Sequence, residues 1–138
     1  MPKADRLSPG AVKLLQEKQI AHIATVMPSG APQITPVWVD VEEDGSHVLI
    51  NTSDGRVKTT NIERDPHVAV SVTDAENPYR AVSIQGRVVE RRKEGAINHI
   101  NQLAWKYRNT NYTFRQPGDA EARVILRIKP YSVIERNV

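Results

Sequence analysis

The sequence of 138 residues contains no cysteine. This absence excludes disulfide bonds, metal sites built on thiolates, and catalysis by a cysteine nucleophile. Large aromatic side chains are also scarce, with one phenylalanine and two tryptophans. A small domain with few large core residues often completes its core by dimerisation. We therefore expect one domain, spanning residues 1–138, that forms a homodimer.

Long hydrophobic runs are absent as well. No apolar run approaches the roughly 20 residues that a membrane-spanning helix needs, and residues 1–6 lack the apolar centre of a secretion signal. The sequence therefore predicts a cytoplasmic protein with no membrane partner. The 19 basic residues nearly balance the 16 acidic ones. The resulting charge of +3 does not identify a partner, although a small anionic ligand would suit it.

Familiar catalytic patterns are missing too. The four histidines are not spaced as paired metal ligands, so no metal site is predicted. The chain has no Gly-x-Ser-x-Gly elbow, dinucleotide fingerprint or phosphate loop. Four acidic residues are expected only to solubilise a hairpin turn: Asp40, Glu42, Glu43 and Asp44.

One basic run could suggest a nucleic-acid partner. It contains Arg87, Arg91, Arg92 and Lys93, but Glu90 interrupts it. No pair of exposed aromatic residues accompanies it on a strand. We interpret the run as a solvated junction between a strand and a helix, and we expect no nucleic-acid binding.

Hydrophobic periodicity predicts three helices and six strands. The helices are expected at residues 9–19, 58–64 and 94–108, and the strands at residues 20–27, 33–41, 46–52, 67–73, 80–91 and 123–129. Short strands joined by tight turns favour an α+β domain built on a small antiparallel barrel. The last strand alternates, and its basic residues are expected to point outward: Arg123, Arg127 and Lys129.

Residues 51–58, with the sequence Asn-Thr-Ser-Asp-Gly-Arg-Val-Lys, carry the clearest functional signal. The chain leaves a predicted strand here and enters a predicted helix. A helix N-terminus offers backbone N–H donors and partial positive charge, which suit an anion such as phosphate. Arg56 adds a fork of donors, and Lys58 adds a compact charge. The alternative is a solvated basic helix start that binds nothing.

The order of several short motifs resembles the split β-barrel superfamily of flavin and deazaflavin oxidoreductases, which includes pyridoxamine phosphate oxidase. The motifs are residues 20–26 (Ile-Ala-His-Ile-Ala-Thr-Val), a Ser-Gly-Ala-Pro-Gln turn at 29–33, Thr-Pro-Val-Trp at 35–38, residues 51–58, residues 61–66 (Asn-Ile-Glu-Arg-Asp-Pro) and residues 82–88 (Val-Ser-Ile-Gln-Gly-Arg-Val). The resemblance implies an α+β antiparallel split β-barrel of the FMN-binding type. It also implies short flanking helices and a homodimer with a cofactor at each side of the interface.

The same resemblance implies roles for individual residues. Arg56 and Lys58 would hold the cofactor phosphate, and the ring would lie along the strand at residues 35–38. Three residues would reach the cofactor from the partner chain: Tyr79, Arg80 and Gln85. The implied cofactor-binding set is Gln33, Thr35, Pro36, Val37, Trp38, Asn51, Thr52, Ser53, Arg56, Lys58, Tyr79, Arg80 and Gln85.

The choice of cofactor depends on what the strand at residues 36–41 lacks. The FMN-binding oxidases place an arginine and a lysine along this strand, whereas here it carries no cation. The chain is more similar to the short reductases that use coenzyme F420. This similarity implies hydride transfer from reduced F420 to an electron-poor small molecule, with a proton from solvent or Tyr79 and no dedicated catalytic residue. The alternatives are an FMN-dependent reductase or oxidase, and a non-catalytic protein that binds a cofactor or haem.

Overall fold

A computed structural model describes residues 3–138, which form one antiparallel sheet with three helices. The first two residues of the predicted domain 1–138, Met1 and Pro2, lie outside the described residues. The elements in chain order are α1 (Pro9–Gln16), β1 (Ala21–Val26), β2 (Pro32–Val37), β3 (Asp40–Val41), β4 (Val48–Ser53), α2 (Val57–Arg64), β5 (His67–Thr73), β6 (Ala81–Arg92), α3 (Ala96–Arg108) and β7 (Arg123–Arg136). No helix in this part of the chain is long and apolar enough to cross a bilayer.

The sheet has seven strands in the order β2-β1-β5-β6-β7-β4-β3. All of its pairings are antiparallel. The two long central strands, β6 and β7, have register shifts at Gln85/Gly86 and Val88/Glu90. Such irregularities bend a strand and increase its twist, which lets the sheet curl around its core. The predicted α+β antiparallel barrel is confirmed.

One face of the curled sheet forms the main core. In β5 the residues Val68, Val70 and Val72 are buried, whereas the residues between them are exposed. This alternation has the period of two that a strand with one buried face requires. Helix α1 covers the core with Leu14 and Leu15, both fully buried. The helix starts as expected, because the Ser8 hydroxyl accepts a hydrogen bond from the Ala11 N–H at 3.2 Å.

The strand predicted at residues 33–41 is interrupted. β2 ends at Val37 and β3 starts at Asp40. Between them, the Val39 N–H donates to the Tyr107 hydroxyl at 3.1 Å, and the Val39 carbonyl accepts from Lys106 Nζ at 2.7 Å. The backbone leaves the sheet here because side chains of α3 satisfy its hydrogen bonds.

Two expectations about individual polar residues are wrong. Arg123 does not point outward, because its side chain is only 6% exposed. Helix α3 packs on β7, and both faces of the strand's first residues are buried. Asp40 is not a solvated turn residue, since its carboxylate accepts hydrogen bonds from the Val41 N–H at 2.8 Å and His99 Nε2 at 3.0 Å.

Candidate functional site

A cavity of about 350 Å³ opens where β2 leaves the sheet, next to β4, the start of α2 and the inner side of α3. Its apolar and aromatic lining consists of Ile20, Pro36, Val37, Trp38, Ile100 and Tyr112. Its polar lining consists of Asn51, Thr52, Arg56, Lys58, Arg108 and Arg123. The lining thus combines apolar surface with a few convergent polar groups, as small-molecule sites commonly do.

Four cations line this cavity: Arg56, Lys58, Arg108 and Arg123. Within residues 3–138 none of the four forms an ion pair, and no carboxylate lines the cavity. Lys58 and Arg123 are buried, whereas Arg56 and Arg108 are exposed. Buried cations normally have an anionic partner, because burial removes the water that stabilises their charge. The cavity is therefore strongly electropositive and suits an anionic ligand.

Lys58 shows this imbalance most clearly. Its side chain is 7% exposed, and it makes no hydrogen bond with any other described residue. Burial lowers the pKa of its ammonium group, and the charges of Arg56 and Arg123 lower it further. A bound anion would offset all three effects.

The backbone at the start of α2 adds to the positive character. Arg56 is the N-cap residue, and no side chain caps the helix. The nearby Thr59 hydroxyl donates to the carbonyls of Ser53 and Arg56, at 3.1 and 2.9 Å, so it leaves the first N–H groups free. The hydroxyl of Thr52 is buried without a hydrogen-bond partner in the described structure. The uncapped N–H groups suit anionic oxygens, and the Thr52 hydroxyl lacks a partner close to them.

Arg123 enters the cavity from the first residue of β7. Its Nε donates to Asn51 Oδ1 at 2.9 Å, and its Nη1 donates to Ser53 Oγ at 3.0 Å. The guanidinium lies 5.4 Å from the centre of the Tyr112 ring. Burial lowers the pKa of Arg123. Two of its nitrogens are thus occupied by the protein, and Nη2 remains available as a donor.

Trp38 and Tyr112 form the aromatic part of the wall. Trp38 stacks on Tyr107 with ring centres 5.1 Å apart and planes 6° apart. Tyr112 meets Trp38 edge-on at 6.2 Å, and the guanidinium of Arg108 lies 5.1 Å from the Trp38 ring centre. Stacked rings have little freedom to move, so this part of the wall is rigid.

Residues 7–137 match the family model described as pyridoxamine 5'-phosphate oxidase. The chain belongs to this family. Its fold is the family's split barrel, which binds flavin-type cofactors, and most members are oxidoreductases. A search of curated proteins finds no significant match.

Three solved structures illustrate how the family fold is shared. An F420 reductase is 30% identical, with a TM-score of 0.78 over 88% of this chain and 94% of that chain. A conserved hypothetical protein from Mycobacterium tuberculosis is 22% identical, with a TM-score of 0.69 over 96% of this chain and 87% of that chain. The General Stress Protein 26 from Bacillus anthracis is 15% identical, with a TM-score of 0.69 over 93% of this chain and 92% of that chain.

Seven of the thirteen residues predicted to bind the cofactor come together in the cavity of this split barrel. They are Pro36, Val37, Trp38, Asn51, Thr52, Arg56 and Lys58. Ser53 lines a neighbouring cavity of about 270 Å³, which shares Arg56, Tyr112 and Arg123 with the first. The predicted phosphate segment and the predicted ring strand therefore face one space.

The other five residues lie elsewhere in the chain. Gln33 and Thr35 are on β2, each with a buried side-chain oxygen that has no hydrogen-bond partner in the described structure. Tyr79 is 78% exposed in the turn between β5 and β6, and Gln85 is on the exposed face of β6. Arg80 forms ion pairs with Glu17 and Asp74 within the chain. Contact of these residues with a cofactor stays a prediction.

The sequence did not predict five of the cavity residues: Ile20, Ile100, Arg108, Tyr112 and Arg123. Tyr112 belongs to a stretch that the sequence indicates only as a loop. Ile100 fits the predicted apolar face of α3, so its periodicity marked it as buried but not as a cavity residue. No local signal marks Arg123, because its burial depends on the packing of α3 against β7.

Proposed function

We propose that this protein is an oxidoreductase that uses reduced coenzyme F420 to transfer a hydride to an electron-poor small organic molecule. The observation that carries the proposal is the cavity with four unpaired cations beside a rigid aromatic wall. A deazaflavin with a phosphate has the matching shape, since it joins a flat ring to an anionic group. The F420 reductase at 30% identity supports the same choice.

The residues present fit such a cofactor. Arg56, Lys58 and the uncapped N–H groups of α2 would hold the phosphate. Trp38 and the end of β2 would position the ring, and the apolar side chains of Ile20 and Ile100 would limit the access of water. When bound, the deazaflavin supplies the hydride chemistry, whereas the protein supplies binding and orientation.

FMN is the second candidate, because its phosphate would suit the same cations. Two features favour F420. The stretch at residues 36–41 carries no cation that could assist an FMN ring. The neighbouring cavity, which shares Arg56 and Arg123 with the first, also offers space for a group attached beyond the phosphate, although Asp54 and Asp119 line it as well.

We also propose that the protein works as a homodimer. A shallow groove on β2, β1, β5 and β6 is lined by His22, Ala24, Ile34, Ala69, Val70, Ser71, Ser83, Ile84 and Gln85. No lysine, arginine, aspartate or glutamate lines this groove in the described chain. An uncharged patch with an isoleucine that is 64% exposed supports burial against a second copy.

The test is a titration of the purified protein with F420, FMN and haem, followed by an assay of reduced F420 with candidate acceptors. Quinones, biliverdin and unsaturated lactones are suitable electron-poor acceptors. We expect F420 to bind, to quench the fluorescence of Trp38, and to be reoxidised only when protein and acceptor are both present. Tight binding without reoxidation would favour a non-catalytic binding protein. A yellow purified protein that a chemical reductant bleaches would favour FMN.

A further inference from the structure

A chain of hydrogen bonds runs through the interior behind the cavity and ends at Arg123. Asp40 Oδ2 lies 3.0 Å from His99 Nε2, and His99 Nδ1 lies 3.1 Å from Asn51 Nδ2. Asn51 Oδ1 then lies 2.9 Å from Arg123 Nε. His99 and Asn51 are buried, at 7% and 9% exposure. Four residues that are distant in sequence thus connect β3, α3, β4 and β7.

The partners at the centre of this chain determine which atom donates each bond. Arg123 Nε can only donate, so the Asn51 atom facing it is the oxygen. The carbonyl of Ala96 can only accept, so the Asn51 atom facing it, at 2.9 Å, is the nitrogen. The Asn51 amide therefore has one orientation, and its second N–H points at His99 Nδ1.

The same logic determines the state of the imidazole. Because His99 Nδ1 faces an N–H donor, it accepts and carries no proton. The proton of the neutral ring is therefore on Nε2, which donates to Asp40. Burial alone would raise the pKa of Asp40, but the hydrogen bonds from His99 and the Val41 N–H outweigh burial and lower it. Asp40 is thus the ionised acceptor that this arrangement needs.

We propose that Asp40, His99 and Asn51 are positioning residues that hold the Arg123 guanidinium in the orientation that binds the anionic ligand. This proposal rests on the proposed function of the cavity. Asn51 lines the cavity, but both of its N–H groups are used by Ala96 and His99. Its contribution to affinity is therefore made through Arg123, as the outer partners of a metal ligand act through that ligand.

The positioning role predicts a specific pattern among His99 variants. His99→Leu removes the acceptor for Asn51, and we expect it to weaken F420 binding about tenfold, the equivalent of most of one charge-assisted hydrogen bond. His99→Asn places an amide oxygen close to the position of Nδ1, so it should retain affinity within about threefold. His99→Gln places its amide nearer to Asp40 and should rank between the two. Val72→Ala, a fully buried substitution in β5, is the control for general loss of stability.

A double-mutant cycle separates action through Arg123 from a structural effect. If His99 acts through Arg123, His99→Leu should have little effect on F420 affinity when Arg123→Gln is already present. An equal loss in both backgrounds would overturn the proposal, as would a wild-type affinity in His99→Leu. A loss in Val72→Ala as large as that in His99→Leu would also overturn it.

A measurement without ligand keeps this inference separate from the proposed function. If wild-type protein does not bind F420, the proposed function fails. The protonation of the two His99 ring nitrogens then tests the positioning role separately. Nitrogen NMR of the ligand-free protein should show His99 with a protonated Nε2 and an unprotonated Nδ1. The Arg123 Nε–H should exchange slowly in wild type and in His99→Asn, and quickly in His99→Leu. A protonated Nδ1, or the same exchange rate in all three proteins, would overturn the proposal. If His99→Leu does not fold, the NMR comparison is made between wild type and His99→Asn.

Discussion

The cations in the cavity and the cations elsewhere on the sheet have opposite surroundings. Arg80 is bound by Glu17 at 2.7 Å and by Asp74 at 3.0 Å, and it joins the end of α1 to the β5–β6 turn. Arg127 is likewise bound by Glu90 at 2.8 Å. By contrast, Arg56 and Lys58 have no carboxylate partner among the described residues. The chain has 16 acidic residues, so the lack of a partner in the cavity reflects their placement.

The two surroundings separate the cations that can bind a ligand from those that stabilise the fold. A cation that already has two carboxylates gains little from a ligand anion, because its charge is balanced. A buried cation without a partner destabilises the ligand-free fold and gains the most when an anion arrives. The four predictions below test this distinction.

The largest effect is expected for Lys58→Ala. The substitution removes a charge-assisted hydrogen bond to the phosphate, which contributes about 1.5–3 kcal/mol. F420 affinity should fall correspondingly, whereas the ligand-free protein should melt at the same temperature or higher, because a buried unpaired charge is gone. Calorimetric titration and thermal melting measure the two quantities. Equal, small losses in both would reject the phosphate role.

Lys106 lies between these two groups of cations, because it has carbonyl partners but no ion pair among the described residues. Its titration makes the stability of the fold depend on pH. Burial lowers its pKa to about 8, although Nζ donates to the carbonyls of Leu15 and Val39, both at 2.7 Å. At a pH between the pKa of Lys106 in the folded chain and its higher pKa in the unfolded chain, the unfolded chain binds more protons. The free energy of unfolding should therefore rise with pH in this range. The slope from this one group is at most about 1.4 kcal/mol per pH unit.

The comparison for Lys106 is the same pH series in Lys106→Met. Urea unfolding of both proteins from neutral to alkaline pH measures the difference in slope. The wild type should gain stability above pH 8 relative to Lys106→Met, and parallel curves would show that Lys106 does not titrate in this range.

Arg80→Ala should show the opposite behaviour to Lys58→Ala. Its ion pairs with Glu17 and Asp74 are partly open to solvent, which weakens them by screening, so their loss should lower the melting temperature by no more than a few degrees. If Arg80 acts only through these ion pairs, F420 affinity should not change. A large loss of affinity would instead support the predicted contact of Arg80 with the cofactor of the partner chain.

The smallest effect is expected for Arg108→Ala. This guanidinium lies 5.1 Å from the Trp38 ring centre and makes no ion pair with the described residues. An exposed cation–π contact contributes about 0.5–1 kcal/mol. F420 binding should weaken by no more than a few fold, and Arg108→Lys should restore part of it. A loss as large as that of Lys58→Ala would place Arg108 directly on the anion.

Local rules were sufficient for one half of the site. Arg56 and Lys58 could be placed from sequence because they follow a strand and begin a helix, and both features depend on neighbouring residues. The strand predicted at residues 33–41 was also correct up to Val37. Its interruption at Trp38 and Val39 was not predicted, since the cause is two side chains of α3 about 70 residues away.

The other half of the site depends on packing between distant elements. Arg123 occupies a position in β7 that alternation assigns to solvent, and α3 buries it. Tyr112 follows α3 in a stretch without regular structure, where periodicity carries no information. Asp40 and His99 are 59 positions apart, and no spacing rule joins them. Contacts of this kind depend on the whole fold, which a local pattern does not describe.

The hydrogen bonds around Tyr107 have a consequence for how a ligand enters. Its hydroxyl donates to the Gln19 carbonyl at 2.5 Å and accepts from the fully buried Val39 N–H. Tyr107 therefore connects α3 to the residues just before β1 and to the break after β2. Its ring also stacks against Trp38. If α3 swung away to admit a cofactor, these bonds and the aromatic wall would be lost together. We therefore expect a ligand to enter with α3 in place, and we expect the Val39 amide to exchange with deuterium as slowly as the amides of the central strands.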